Sequence, residues 1–421
     1  MLALLFQLEQ SQWWPTQTLA GFQARQLEVL LAHARATVPY YRARWTDAAL
    51  RGGIASLPLL TRRDLQSSFD ELKSDAVPAA HGGMGMASTS GSTGTPTRVM
   101  KTALTQLMWR AQTLRDHLWH RRDLRGRLAV IRQGPTPGSF DQWGNATDGL
   151  VTGPSAVLSP GEDIEAQLRW LQGQDPEYLL TYPSTAAALA QLSIEQRIRL
   201  PRLKEVRTLG EQLPDDLRQL CEDAWGVRLV DTYSAEEAGY LALQCPEHDH
   251  YHVPAESVLL EILDDDGRPC APGQAGRVVI TDLGNFATPL VRYEIGDFAV
   301  PGQPCACGRG LPVIERVLGR VRNLLVTADG RRYWPTFGVR SLGEVAPVRQ
   351  AQFVQTAFDR LEARLVCSAP LTAAQHAAIK QRVTDRLPRG FEVTLVTVES
   401  IARGAGGKFE DFVCSLPTPI P

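Results

Sequence analysis

The chain has 421 residues, 43% apolar and 21% charged, with a net charge of −2. That length exceeds one ordinary core and suits two or three, and the balance is that of a globular chain and not a disordered one. No block of like charge occurs and no apolar run approaches a membrane span, which argues against nucleic acid, an anionic membrane surface or a spanning helix.

Residues 1–8 are mostly apolar but lack a basic start and a small-residue cleavage site. They read as the start of a packed helix and not as an export signal. The seven cysteines are therefore expected in the reducing cytosol, where close spacing argues for metal before disulfide. Residues 22–45 carry helical periodicity through Leu27, Leu30, Leu31 and Ala34, broken at Val38-Pro39-Tyr40-Tyr41. Thr61 is placed as the N-cap of a helix beginning Arg62-Arg63-Asp64-Leu65. From 103 to about 230, helical stretches alternate with short apolar runs at 128–131 and 178–181 and with strand-like segments at 206–209 and 227–230, the signature of an α/β layered domain. After Val258 the texture turns to β, with strands predicted at 258–263, 276–281 and 290–293. A composition break near Gly319 opens a compact α+β tail: a hairpin at Asp329-Gly330, strands at 361–366 and 392–398, and a helix at 373–387. No internal repeat or low-complexity segment occurs.

Six short motifs carry the chemistry. Thr89-Ser90-Gly91-Ser92-Thr93-Gly94-Thr95-Pro96 holds five hydroxyls and three glycine or proline punctuators, and can curl backbone N–H groups and hydroxyls around phosphate oxygens. It lacks the Gly-Lys-Ser/Thr ending of a Walker loop. Gly210-Glu211 follows one strand-like run, and Tyr233-Ser234-Ala235-Glu236-Glu237-Ala238-Gly239 follows the strand ending at Asp231. Arg292-Tyr293-Glu294-Ile295-Gly296-Asp297, Gly319-Arg320 and Gly406-Gly407-Lys408 complete the order.

In this order the motifs resemble the adenylate-forming superfamily, and more narrowly the phenylacetate–coenzyme A ligase family and its capsule-synthesis-type relatives. The resemblance runs from Val38 to Lys408. It implies an α/β adenylate-forming ligase fold: a large multi-layer N-terminal α/β domain, 1–318, and a small mobile α+β C-terminal domain, 319–421. It implies that an acid and ATP give acyl-AMP and pyrophosphate, and that a thiol then captures the acyl group. Residues 89–94 (Thr89, Ser90, Gly91, Ser92, Thr93, Gly94) would hold the β- and γ-phosphates. Gly210, Glu211, Asp231 and Tyr233 would form the nucleotide site, with adenine stacked on Tyr233, and Asp297 and Arg320 would serve the ribose. Glu237 would hold Mg²⁺. Lys408 would bridge the carboxylate and the reacting phosphate, and a hinge at Arg322 would carry it away for the second step. Tyr182, Pro183, Ser234 and Ala235 would line the acid pocket.

Coenzyme A is the acceptor the resemblance implies first, with an aromatic or arylacetic acid as substrate. An amine, a hydroxyl or a carrier-protein thiol is the alternative acceptor, and a non-catalytic binding protein on this fold is a second alternative. The chain departs from the family at Thr97-Arg98, where lysine often follows the loop's proline, at Arg322, where relatives usually carry aspartate or lysine, and at Glu236-Glu237, where threonine-glutamate is common.

A second centre stands on spacing alone. Cys245-Pro246-Glu247-His248 and Cys305-Ala306-Cys307 are two close pairs of zinc-ligand type, with His250 and His252 competing for the histidine place. A closed four-ligand zinc site of this kind is structural. Cys221, Cys270, Cys367 and Cys414 read as core thiols. Oligomeric state has no signal in the sequence.

Overall fold

The computed structural model describes residues 1–89, 96–147, 149–320, 323–335, 337, 339–404 and 407–416. The predicted phosphate-loop residues Ser90, Gly91, Ser92, Thr93 and Gly94, and the hinge residue Arg322, lie outside the described residues. The chain divides into two compact units: Met1–Leu124 with Gly144–Val151 and Thr232–Leu318, and Arg125–Trp143 with Thr152–Asp231 and Gly319–Pro421.

In the first unit the helical period of the N-terminal region folds as Thr16–Thr37, and the Val38-Pro39 break starts the short helix Pro39–Arg44 with proline at its first turn. Thr61 caps the helix Arg62–Ser67 in a capping box with Asp64. Strands Val258–Leu263, Gly276–Asp282 and Tyr293–Pro301 form an antiparallel run. The predicted strand at 290–293 is displaced: Arg292 takes a left-handed φ of 49°, and the strand begins one residue later at Tyr293. The Arg292 guanidinium spans from the Glu261 carboxylate to the carbonyls of Ala55 and Leu57, so this motif arginine ties segments together. The hairpin Met84–Ser88 and Arg98–Thr102 is closed by Thr89 N–H on Thr97 O at 2.9 Å and by Thr97 N–H on the Thr89 hydroxyl at 3.0 Å.

The second unit has the parallel strands Ser155–Leu158, Leu128–Ile131, Tyr178–Thr181 and Glu205–Leu209 in that order, with helices Ile164–Gln174 and Pro183–Gln196 between them in sequence and helix Leu217–Trp225 after the last. The two outer helices and the strands share a core of Leu168, Leu171, Leu179, Val206, Leu220 and Ala224. Parallel strands joined through helices are buried on both faces, which is why Leu128–Ile131 is continuously apolar and why even Glu205, Arg207 and Thr208 are buried in Glu205–Leu209. The tail of this unit has its own four-stranded sheet, in which Val348–Ala357 and Arg360–Cys367 pair antiparallel and are flanked by Phe412–Cys414 and Glu392–Thr397. Phe337, Phe353, Leu361, Ile379 and Phe412 fill its core under helix Ala373–Thr384. Among the described residues no helix is long and apolar enough to cross a membrane.

One buried carboxyl makes stability depend on pH. Burial pushes Asp282 up from 3.8 to about 6, against the Gly284 N–H and the Lys101 charge. A carboxyl whose folded pKa lies above its unfolded value holds its proton better when folded. Its contribution is therefore most favourable below the unfolded pKa and fades as pH rises to about 6. Asp282→Asn should stabilise the fold relative to the parent increasingly from pH 4.5 to 7, by on the order of 1–3 kcal/mol at the upper end. Denaturant unfolding across that range checks it; a difference independent of pH would contradict it.

Candidate functional site

In the first unit the Tyr233 motif forms the end of strand Arg228–Ala235 and turns at Ala235–Gly239 into strand Gly239–Gln244, with a register shift between Tyr233 and Ser234. Tyr233 is buried and its hydroxyl donates to Asp297 Oδ2 at 2.8 Å. Glu237 is buried too: the Tyr293 hydroxyl donates to its Oε1 at 3.3 Å, and Arg62 Nη1 lies 3.6 Å from the same oxygen. The capping box at Thr61 starts the helix with Arg62 in its first turn. Burial and the Glu237 charge push the Tyr293 phenol far above its usual range, so it stays a donor to that carboxylate. Lys101 Nζ donates to the Glu236 carbonyl at 2.6 Å, which ties the strand Arg98–Thr102 to this turn. Ser234 and Ala235 are half-buried beside it. Sequence reasoning missed Arg62 and Tyr293 as partners of Glu237, because both meet it only through tertiary packing.

In the second unit several predicted residues converge on Gly210. It takes φ +81°, and a Cβ there would lie 3.2 Å from Lys408 Cε, 3.3 Å from Lys408 Nζ and 3.7 Å from the Tyr182 ring. Only glycine combines that backbone with so close an approach of the lysine. Tyr182 is buried and its hydroxyl accepts the Gln133 N–H at 3.1 Å; Pro183 follows it as the first residue of a helix. Glu211, next to Gly210, accepts the Ser184 N–H at 2.9 Å and the Phe409 N–H at 2.5 Å. Its carboxyl is raised by burial, against those N–H groups and Arg403. Asp231 is buried and accepts the Thr208 hydroxyl at 2.6 Å, and Arg320 ends strand Val313–Arg320 half-buried. Gly210→Ala should displace the lysine end, lower acyl-AMP formation, and cost about 1–2 kcal/mol of stability from the left-handed backbone. Wild-type rates in that variant would show that the close approach has no role.

The first unit also holds a sulfur–nitrogen cluster. Strand Tyr251–His252 pairs with both Gly239–Gln244 and Val313–Arg320, which draws the loop after Gln244 toward the loop before Val313. Ligand atoms of Cys245, His252, Cys305 and Cys307 lie within 4.8 Å of one another. Cys245 and Cys305 sulfurs are 3.9 Å apart, and Cys307 Sγ is 3.4 Å from His252 Nε2. Two thiolates on one tetrahedral zinc sit ~3.8 Å apart, so the donor set and spacing fit that ion. Burial pushes His252 down to about 3, leaving the neutral imidazole a metal requires. Of the three candidate histidines the cluster contains His252; His248 and His250 instead stack on each other at 5.1 Å.

Residues 19–288 match the family model described as AMP-binding enzyme. The phenylacetate-coenzyme A ligase of Thermus thermophilus is 26% identical, with 94% of this chain and 96% of that protein covered. The enzyme of the same name from Pseudomonas putida is 26% identical over 76% of this chain and 75% of its own length. Among solved structures, 2-hydroxyisobutyryl-CoA ligase in the postadenylation state with 2-HIB-AMP superposes with a TM-score of 0.75 at 20% identity, covering 94% of this chain and 89% of that one. The adenylate-forming ligase fold expected from the motifs is thus the fold observed, and the chain belongs to the AMP-binding enzyme family, as an enzyme of the adenylate-forming superfamily similar to the phenylacetate–coenzyme A ligases.

Proposed function

We propose that this chain is an acid–thiol ligase: it activates an aromatic or arylacetic acid with ATP to acyl-AMP, then passes the acyl group to coenzyme A. The observation that carries the reading is the Lys408 ammonium held against Gly210, within a chain matched by the AMP-binding family model. In the first step a carboxylate oxygen attacks the α-phosphorus, the bond to the bridging oxygen breaks, and pyrophosphate leaves. Charge builds on oxygens that are already anionic, so a fixed cation and hydrogen-bond donors supply most of the rate. Lys408 fills that role. Glu237, an oxygen donor of the type Mg²⁺ prefers, would hold the ion, which when bound would neutralise phosphate charge. Asp297, an acceptor already engaged by Tyr233, takes the ribose hydroxyls, with Arg320 assisting. Thr89 with Ser90, Gly91, Ser92, Thr93 and Gly94 cradles the outgoing phosphates.

In the second step the thiol attacks the acyl carbon, loses its proton, and AMP leaves. The C-terminal domain, 319–421, turns about Arg322 between the steps and removes Lys408. The Cys245, His252, Cys305 and Cys307 set holds a structural zinc with no open position for catalysis. We place the chain in a reducing, cytosolic setting, where cysteines stay available as metal ligands.

Pyrophosphate release with Mg-ATP and arylacetic acids tests the first step. Release that requires both acid and ATP is expected; acid-independent release or none with any carboxylic acid would count against the reading. Acyl-AMP that accumulates and ignores coenzyme A would redirect the second step to an amine, a hydroxyl or a carrier-protein thiol.

A further inference from the structure

The two residues flanking Lys408 are each held by a side chain: Phe409 by Glu211, which the motifs place in the nucleotide site, and Gly407 by Arg403, to which they assign no role. Glu211 Oε1 accepts the N–H of Phe409, the residue after the lysine, and Oε2 accepts the N–H of Ser184 in the first turn of helix Pro183–Gln196. Arg403 lies five positions before the lysine. Its Nη1 donates to Gly407 O at 3.1 Å and to the Ser184 hydroxyl at 3.0 Å, and its Nη2 to the Thr185 hydroxyl at 3.1 Å. Arg403 Nη1 is 3.7 Å from Glu211 Oε1, and both side chains are largely buried. The Lys408 carbonyl accepts the Gly404 N–H at 2.9 Å. Gly407, at φ +71°, passes so close to Gln133 that a Cβ would lie 3.3 Å from its side chain. The backbone on both sides of the lysine is therefore gripped by one charge pair seated on one helix N-terminus, a favourable place for a carboxylate.

We infer that Arg403 and Glu211 are positioning residues that hold the Gly407–Phe409 backbone so that the Lys408 ammonium stays against Gly210 for acyl-AMP formation, and that this grip must open before thioester formation. The inference rests on the reading of Lys408 as the residue of the first step. Neither side chain touches the lysine's ammonium in the bonds that form the grip: Arg403 holds the carbonyl before it and Glu211 the N–H after it. Burying the two charges is costly for each alone, as burial lowers Arg403 and raises Glu211, and each offsets the other. A buried pair of that kind is a two-state element: intact when packed, and weak once solvent reaches it. The rate of the first step then scales with the fraction of molecules in which the grip is closed, whereas the second step, with Lys408 withdrawn, does not need it.

The test compares the parent protein with Arg403→Met, which keeps the stem and removes the charge, and with Arg403→Lys, which returns the charge without the fork. Amide exchange over 407–412 is read by mass spectrometry. Pyrophosphate release with phenylacetate and thioester formation from supplied phenylacetyl-AMP and coenzyme A are measured beside it. Arg403→Met should speed exchange over 407–412 and slow pyrophosphate release by roughly tenfold or more, the loss expected of charged hydrogen bonds, and leave the thioester step within about twofold. Exchange across strand Leu128–Ile131 should not change, which excludes global unfolding, and Arg403→Lys should recover part of the loss. Unchanged exchange over 407–412, or an equal fall in both half-reactions, would overturn the inference. Lys408→Ala serves as the control on the underlying reading: normal acyl-AMP formation there would remove the role of the lysine while the exchange result still decides whether the grip exists. A parent protein that neither makes nor consumes phenylacetyl-AMP counts against the acid class, and the exchange measurement again decides the grip.

Discussion

Lys408→Ala should lower acyl-AMP formation by roughly 10²–10³-fold, the range for removing one preorganised group that meets charge developing in a transition state. Lys408 is an exposed residue, so truncation removes little apolar contact and the unfolding free energy should move by no more than about 0.5 kcal/mol. Its ammonium end, by contrast, has a defined seat: a Cβ on Gly210 would lie 3.3 Å from Nζ. Lys408→Arg should not restore the rate, because the broader guanidinium does not fit the approach that glycine leaves open. Thioester formation from supplied acyl-AMP should stay within about threefold of the parent, since an interaction made only in the first transition state leaves the second step alone. Acyl-AMP made at the parent rate by Lys408→Ala would sink the assignment.

Protein purified without chelator should carry about one zinc per chain. The ligand atoms come from the loop after Gln244 (Cys245), the loop before Val313 (Cys305 and Cys307) and the short strand Tyr251–His252 that pairs beside both. Removing the ion, or replacing Cys305 by serine, leaves a set of buried thiols and an imidazole without their partner, and should lower the melting temperature by roughly 10 °C for a loss of several kcal/mol. The histidines separate the two ligand sets that the spacing allowed. His252→Ala should lose the zinc and expose titratable thiols, whereas His248→Ala should keep it. Zinc-free protein, or retention in His252→Ala with loss in His248→Ala, would contradict the site.

Much of the fold was legible because its signals are local. The break at Val38-Pro39 and the cap at Thr61 need only proline geometry and a side-chain oxygen three residues from its target, and both stand in the structure. The parallel strands Leu128–Ile131 and Tyr178–Thr181 announced themselves as short apolar runs between helical stretches. The strand predicted at 290–293 failed because Arg292 enters a left-handed conformation held by Glu261 and two carbonyls, a tertiary constraint with no local mark. The same division holds at the site. Tyr233, Glu237, Asp297 and Lys408 were legible as members of ordered motifs. Their neighbours Arg62, Tyr293 and Arg403 are far from their partners in sequence or carry no distinctive spacing, and packing alone brings them in. Cys245 and His248 have a chelating interval, yet the structure brings Cys245 together with His252: pairing of Tyr251–His252 with Val313–Arg320 sets the geometry, and sequence interval does not.

The most direct test of the central claim is product identity. Purified protein is mixed with Mg-ATP and a pool of aryl, arylacetic, amino and fatty acids, with and without coenzyme A, and the products are read by mass spectrometry. An acyl-CoA from an aromatic or arylacetic acid, formed only when coenzyme A is present and preceded by its acyl-AMP, is the expected result. The absence of both acyl-AMP and acyl-CoA from every acid in the pool, in protein that is folded and loaded with metal, would contradict it.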